Sequence, residues 1–474
     1  MSLPISFFHN NIQLGGGQWL SLYGENNIGY SQQFQGSYGR GNTLRWNDNL
    51  QAAYYVWDTS VTGSTGTYSG KIDKEGTDTH HLIVQRTGNW EGRSFDVKND
   101  GKIMFLAEGG GTSYLAQYDP ATNNFQGNIS FEPYKYMFDV RVFQNGGNDY
   151  YIVSGRNGQS GDLDYGYGQI LSSAVNGTAT WGGHNVASYC NGILHDFDSN
   201  KICLVGNTSS SRSFVTFHDG GFSQHRGGHY ADVGGFNDTN QIRGADWYGG
   251  HRNLHSGTGI RRVWAVGFAY NGSNYHSFLV SATSTGGIET NARFLADSSG
   301  NRLNKAAFWD AKYDDINGGK VYTFGVADSR DTNRGTSKRD GTMVAWNVSS
   351  DATAPTIDKV WQIRQNRNST EYETEIINGV VDDEGFIILN GRYRGQSVGT
   401  QAFIARIDPA NPYTGVAGPL TFHDTTSQHT TNNAFGVTSA GGYGTISPSN
   451  SISHNTTSLS GNYSNAVTPQ LEEL

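Results

Sequence analysis

Six side chains able to hold a cation or a polar ligand recur along the chain: Asp96, Asp139, Asn191, Asp246, Asp310 and Asn378. Asp96, Asp139 and Asp310 directly follow an aromatic residue, Phe95, Phe138 and Trp309. Two chemistries fit the recurrence. If the six face a common axis, they form a ring of carboxylates and amides suited to a cation or a polar ligand. Alternatively, each accepts backbone hydrogen bonds at a corner of its own unit, as aspartate does in turns. Aligning the turn glycines of the copies sets Asn378 beside Ser94 rather than beside Asp96.

Histidines cluster once, as His218, His225 and His229 in FHDGGFSQHRGGHYAD, with Asp219 and Asp232 nearby and His251 and His255 following. Three imidazoles and a carboxylate suffice for zinc or another transition metal, but this spacing matches no metal-site signature. Asp162 and Asp164 open like a calcium loop, yet Ser173 stands where the closing glutamate belongs. The segment 173–181, SAVNGTATW, resembles an Asp-box without its acid. No nucleophile elbow, zinc-protease helix motif, phosphate loop or dinucleotide fingerprint is present. The expectation is a non-enzyme that needs no cofactor. Aromatic residues are the better candidates for recognition, with Trp181, Trp247, Tyr248 and Trp361 foremost and Trp46 and Trp90 beside them. Such rings, flanked by Asn, Asp and Arg, suit the C–H faces and hydroxyls of a sugar. The competing reading is packing between neighbouring sheets.

What positions these residues is a repeated hairpin, clearest in SFDVKNDGKIMFLAE over 94–108. Phe95 and Val97 alternate with Ser94, Asp96 and Lys98, the period of a half-buried strand. Asn99, Asp100 and Gly101 make a tight turn. Residues 103–107 are apolar on both faces, as in a strand covered on both sides. Comparable apolar strands start at 150, 202, 263, 321, 386 and, more weakly, 443, so the spacing from copy to copy is 47 to 65 residues. Most copies end on glycine: Gly155, Gly206, Gly267, Gly325 and Gly391. A third strand follows each hairpin, as at 114–118 and 403–407, and a more polar fourth leads to the next. Four strands in this length match a propeller blade.

The predicted fold is therefore an all-β propeller of four-stranded blades. Seven blades are favoured, with six as the alternative. Strands at 54–58 and 81–86 precede the first hairpin, and the last hairpin, 433–446, has no third or fourth strand after it. Joining the two ends in one shared blade closes the ring and removes exposed sheet edges. This divides the chain into an N-terminal arm (1–50), a propeller (51–447) and a Ser/Asn/Thr-rich tail (448–474).

Composition agrees with many short strands and turns: 64 of 474 residues are glycine, about twice the usual ~7%. The net charge of −9, without a basic block, argues against a nucleic-acid partner. No apolar run is long enough for a membrane span, and the first residues lack the pattern of a secretory signal. Cys190 and Cys203 are expected to be buried thiols that do not face each other.

The unit FDVKNDGKIMFLAEGGGTSYLAQYDPATNNF resembles the β-propeller repeats of tailed-phage virion proteins, with Asp-Val, Asp-Gly, an apolar run, glycine and Tyr-Asp in that order. Residues 138–155 and 308–328 match it more loosely, and the third and fourth copies depart most. The resemblance implies a non-enzymatic structural protein of the phage tail or virion surface, made in the host cytoplasm without a signal peptide. Its arms would bind other virion subunits in a homo-oligomeric assembly, and its loops a host-surface glycan. The alternative is a carbohydrate-active propeller enzyme or a secreted lectin. An enzyme of that kind would place two carboxylates ~5–10 Å apart in a central pocket.

Overall fold

The computed structural model describes residues 9–23, 44–61, 64–84, 90–109, 112–122, 124–130, 135–145, 148–157, 165–171, 178–196, 201–208, 213–219, 225–231, 240–247, 262–283, 287–288, 293–330, 338–348, 355–366, 373–394, 400–432, 457–458 and 470–472. Among them the regular structure is β throughout, save one 3-10 turn at Thr426–Gln428. The first hairpin forms as read. Trp90–Val97 pairs antiparallel with Ile103–Gly109, setting Phe95 opposite Phe105. Its turn closes with Lys98 N–H donating to the Lys102 carbonyl at 2.9 Å, and Gly101 adopts φ 85°.

Among the described residues the strands form six sheets, not the seven that the sequence favours. The difference lies in Thr178–Asp196, a single 19-residue strand. Its first part pairs with Tyr165–Leu171, as the outer strand of one four-stranded repeat. Its second part pairs with Lys201–Thr208, as the inner strand of the next. Two repeats thus run into one eight-stranded sheet, and the propeller has six blades, one of double width.

The inner strand of six repeats carries a one-residue irregularity at the same place: Gly92/Ser94, Met137/Asp139, Cys190/Gly192, Ile242/Gly244, Phe308/Asp310 and Ile376/Asn378. Such a bulge bends the strand and re-aims the side chains that follow. It also explains the recurring glycines. Gly155, Gly206, Gly267, Gly325 and Gly391 each pair with the residue just before the bulge. A Cβ on Gly325 would collide with the Ala307 carbonyl oxygen, and one on Gly267 with that of Gln241.

Closure uses a different segment from the one expected. Gln18–Tyr23 pairs with Thr400–Ile407, setting Leu20 opposite Ala405, and so completes the sheet of Thr374–Val381 and Ile387–Arg394. His9–Gly15 adds a further strand outside it. Residues 9–23 are therefore part of the ring, not of an arm: Trp19 and Leu20 are 1% and 0% exposed. Their glycine- and amide-rich setting had masked a strand pair whose apolar face is buried by the last sheet. Leu44–Asn47 also lies in the ring. It makes Ala52–Val61 the second strand, not the third, of a sheet continued by Ser64–Asp73 and Asp78–Val84. The proposed partner of that sheet, 433–446, lies outside the described residues.

The C-terminal run returns over the outer sheet edges. Leu420–Asp424 adds to Thr356–Gln365 and His429–Asn432 to Arg293–Asp297. Within the segment assigned as a tail, Thr457–Ser458 pairs with Thr178 and Ala179, and Gln470–Glu472 with Leu82 to Val84. Each addition covers backbone groups that an edge strand would otherwise expose.

One buried group in this run is acid-sensitive. His429 is 8% exposed, with Nδ1 2.9 Å from the Thr425 carbonyl oxygen. Burial, and to a lesser extent the Arg330 charge, pushes its pKa down to about 4. The unfolded chain then takes up this proton before the native one does, so stability is lost as pH falls from ~6.5 toward ~4, by roughly 3 kcal/mol at most. His276, lowered chiefly by burial, acts in the same direction. Asp96 and Asp310, raised chiefly by burial, act oppositely. Urea unfolding of His429→Gln at pH 7 and pH 4.5 is expected to show a smaller acid loss than wild type. An unchanged loss would exclude His429 as a source.

Candidate functional site

The bulges carry the six recurrent polar residues to the faces where inner strands meet, and their hydrogen bonds cross from one repeat to the next. Asp96 accepts from its own neighbour, Val97 N–H, at 3.0 Å and from Val142 N–H on the next inner strand at 2.8 Å. Asp139 repeats the pattern with Val140 N–H at 3.0 Å and Ile193 N–H at 3.1 Å, and also accepts from Ser94 Oγ at 2.7 Å. Asp246 takes Trp247 N–H at 3.0 Å and Tyr313 N–H at 2.9 Å. Asn191 donates to Asn207 and to the Ile242 carbonyl, both at 2.8 Å. Asn378 donates to Asp310 across the last of these joints.

The residues are therefore clasps between repeats: Asp96, Asp139 and Asp246 accept backbone hydrogen bonds, but from two repeats rather than from their own unit alone, while Asn191 and Asn378 donate. They do not form one level ring. Asp139, Asp310 and Asn378 follow the bulge directly, in the place of Ser94, whereas Asp96 and Asp246 lie two residues farther on and Asn191 is the bulged residue itself. Truncating a clasp leaves two buried N–H groups without acceptors, each costing ~1–3 kcal/mol. Asp246→Ala is expected to lose roughly 2–5 kcal/mol in urea unfolding, and Asp246→Asn, which keeps one acceptor oxygen, about half of that. Equal losses would show that packing rather than hydrogen bonding is involved.

Beyond the clasps, toward the hairpin turns, the inner strands surround a cavity of about 260 Å³. Arg45, Asp96, Arg141, Leu194, Asp246, Lys312 and Val380 line it, one from each of seven inner strands. Trp46, Tyr313, Asp48 and Asp315 also contribute to its lining, with Trp46 and Tyr313 each packed against an apolar core as well. Arg45 is 7% exposed, with Nε 3.3 Å from Asp96 and Nη2 3.9 Å from Asp139. Arg141 donates from Nε to the Ile193 carbonyl at 2.9 Å, and its Nη2 is 3.6 Å from Asp139. Lys312 Nζ lies 3.3 Å from Asp310. Burial raises the Asp96 and Asp310 carboxyls, while Arg45 opposes this at Asp96, and Lys312 and then Arg45 at Asp310.

The basic members of this site were not among the residues picked out by sequence. The available signal was Asp139-x-Arg141 and Asp310-x-Lys312, since residues two apart share a strand face. Arg45 had no such signal, because its strand fell in the supposed arm. Of the aromatic candidates, Trp247 and Trp361 are core residues, 3% and 5% exposed. Trp247 packs 6.2 Å from Phe217, and Trp361 sits among the apolar side chains between two sheets. A sugar cannot reach either ring there. Tyr248 and the Trp181 side chain lie outside the described residues. Backbone register sets His218 opposite His225 but His229 opposite Val215, and their side chains are not described. Among the described residues no group of three metal-ligating side chains occurs. Cys190 and Cys203 are both buried free thiols, paired in register with Gly206 and Leu194 rather than with each other.

Sheets whose inner strands surround one cavity, clasped to each other at successive joints and closed by an N-terminal strand, define a β-propeller. The chain resembles the Dos1 propeller (12% identity over 82% of this chain and 86% of that one, TM-score 0.42). It also resembles Drosophila Plexin A in complex with Semaphorin 1b (8% identity, 80% and 85% covered, TM-score 0.41). The xylan β-1,4-xylosidase of Bacillus halodurans C-125 is a more distant likeness (8% identity, 90% and 97% covered, TM-score 0.23). No family model and no curated protein matches the chain. Among the described residues no helix is long and apolar enough to cross a membrane.

Proposed function

We propose that this chain is a non-enzymatic structural propeller of a tailed-phage particle, located in the tail or on the virion surface. It would assemble with other virion subunits, as a homo-oligomer, and a host-surface glycan would be a further partner. The observation that carries the non-enzymatic part is the use made of the axial acids. Asp96, Asp139 and Asp246 each commit both carboxylate oxygens to backbone N–H groups of two repeats. Carboxylates held in this way tie the joints between repeats, which is the use a structural role makes of them. The placement in a virion rests on the repeat resemblance over 94–420.

Sedimentation of the purified full chain, paired with limited proteolysis of the segments 24–43 and 433–474, tests the assembly role. A defined oligomer that dissociates when 448–474 is removed supports it. A compact monomer protected from protease at both ends counts against it. Retention of full glycan binding by that truncated chain would favour a lectin instead.

A further inference from the structure

The cavity at the mouth of the channel is surrounded by cations whose neighbouring acids are already engaged. Asp96 and Asp246 hold two backbone N–H groups each, and Asp48 accepts from Trp46 Nε1 at 2.9 Å. Arg45, by contrast, is more than nine-tenths buried, and its Nε and Nη2 donate no hydrogen bond. The carboxylates near it are close enough to balance its charge but not placed to accept from it. A buried guanidinium with open donors is costly, and the cost is relieved when a planar oxyanion takes two of its N–H groups together. Arg141 and Lys312 line the same cavity, and both approach their carboxylates only at 3.3 Å or beyond.

We propose that this cavity binds a compact organic acid whose carboxylate meets Arg45 and whose ring lies against the aromatic part of the lining, to which Trp46 and Tyr313 contribute, the chemistry of an acidic monosaccharide. The volume of about 260 Å³ is below the ~300 Å³ at which pockets begin to take drug-sized ligands, so the occupant is one ring rather than a chain. Arg45 supplies the paired donors. Arg141 and Lys312 add charge, and the aromatic part of the lining covers the C–H face of the ring. The inference rests on the glycan part of the proposed function and is independent of the virion placement, because the cavity is formed by one chain.

The test is calorimetric titration of the full chain with sodium D-glucuronate, D-glucose and sodium sulfate, with Trp fluorescence as a second readout. Glucuronate is expected to bind at least about tenfold tighter than glucose, which has the same ring without the charge. Sulfate, an oxyanion without a ring, is expected to bind more weakly than glucuronate. Lys312→Gln should weaken glucuronate binding about threefold or more in a chain that still unfolds cooperatively, whatever midpoint it loses with the Asp310 pair. Arg45→Lys, which keeps the charge but loses the fork, should weaken it further. Equal affinity for glucuronate and glucose overturns the proposal, as does sulfate matching glucuronate. Absence of glucuronate binding by the folded wild-type chain, or undiminished binding by folded Lys312→Gln, overturns it equally.

Discussion

A chain lacking residues 1–23 is expected to lose on the order of 8 kcal/mol of stability, since four large buried side chains contribute ~2 kcal/mol each. Those side chains are Trp19, Leu20, Leu22 and Tyr23, all at most 9% exposed. Trp19 Nε1 also donates to the Lys74 carbonyl at 2.7 Å, tying the closing strand to the neighbouring sheet. Gln18 Oε1 accepts from Asp408 and Tyr413 N–H at 3.2 and 2.9 Å, fixing the chain beyond the last inner sheet. A loss of that size equals much of the stability of an ordinary domain. The truncated protein should therefore either fail to fold or associate through the exposed edge of Thr400–Ile407. Thermal unfolding and light scattering would show this, and a synthetic peptide of residues 9–23 should restore part of the lost midpoint. If the truncated chain melts within about 2 °C of wild type, the closing role of this strand is wrong.

The second large effect is expected at Arg406, which bolts the same joint from the other side. It is 2% exposed. Its Nε donates to Asp382 Oδ2 at 2.8 Å, its Nη1 to the Gly17 carbonyl at 2.8 Å and its Nη2 to Glu384 Oε2 at 2.6 Å. The guanidinium also lies 3.7 Å over the Phe386 ring. Asp382 is fully buried, and burial raises its carboxyl despite the arginine. Glu384 is held below its ordinary range by Lys74 and then Arg406. Arg406→Met would strand the Asp382 charge in the interior, a change that typically costs ~3–5 kcal/mol. Arg406→Lys keeps the charge but cannot serve three acceptors in one plane, and it should fall between Met and wild type. Adding Asp382→Asn to Arg406→Met should recover part of the loss, because no unpaired charge remains. A double-mutant cycle by urea unfolding measures this, and strict additivity of the two changes would remove the coupling on which the argument rests.

Alternation at 94–108 and its recurrence were enough to read the hairpins, their turns, the third strands and the propeller class from sequence. Such features depend on local period and turn chemistry, which are written in consecutive residues. Even the terminal glycines were visible as a pattern, although the bulge that demands them was not.

The blade count, the closing strand and the chemistry of the axis were decided only in three dimensions. Thr178–Asp196 reads as two strands, and only its twin pairings make it one. The segment 9–23 lacks the composition of a core strand, but its apolar side chains meet a face almost four hundred residues away, and no local pattern encodes that distance. The aspartates announced themselves by recurrence. Whether they hold ligand or backbone depends on where the next repeat's N–H groups lie. Arg45 is buried by that same geometry, its charge balanced by acids that do not take its hydrogen bonds.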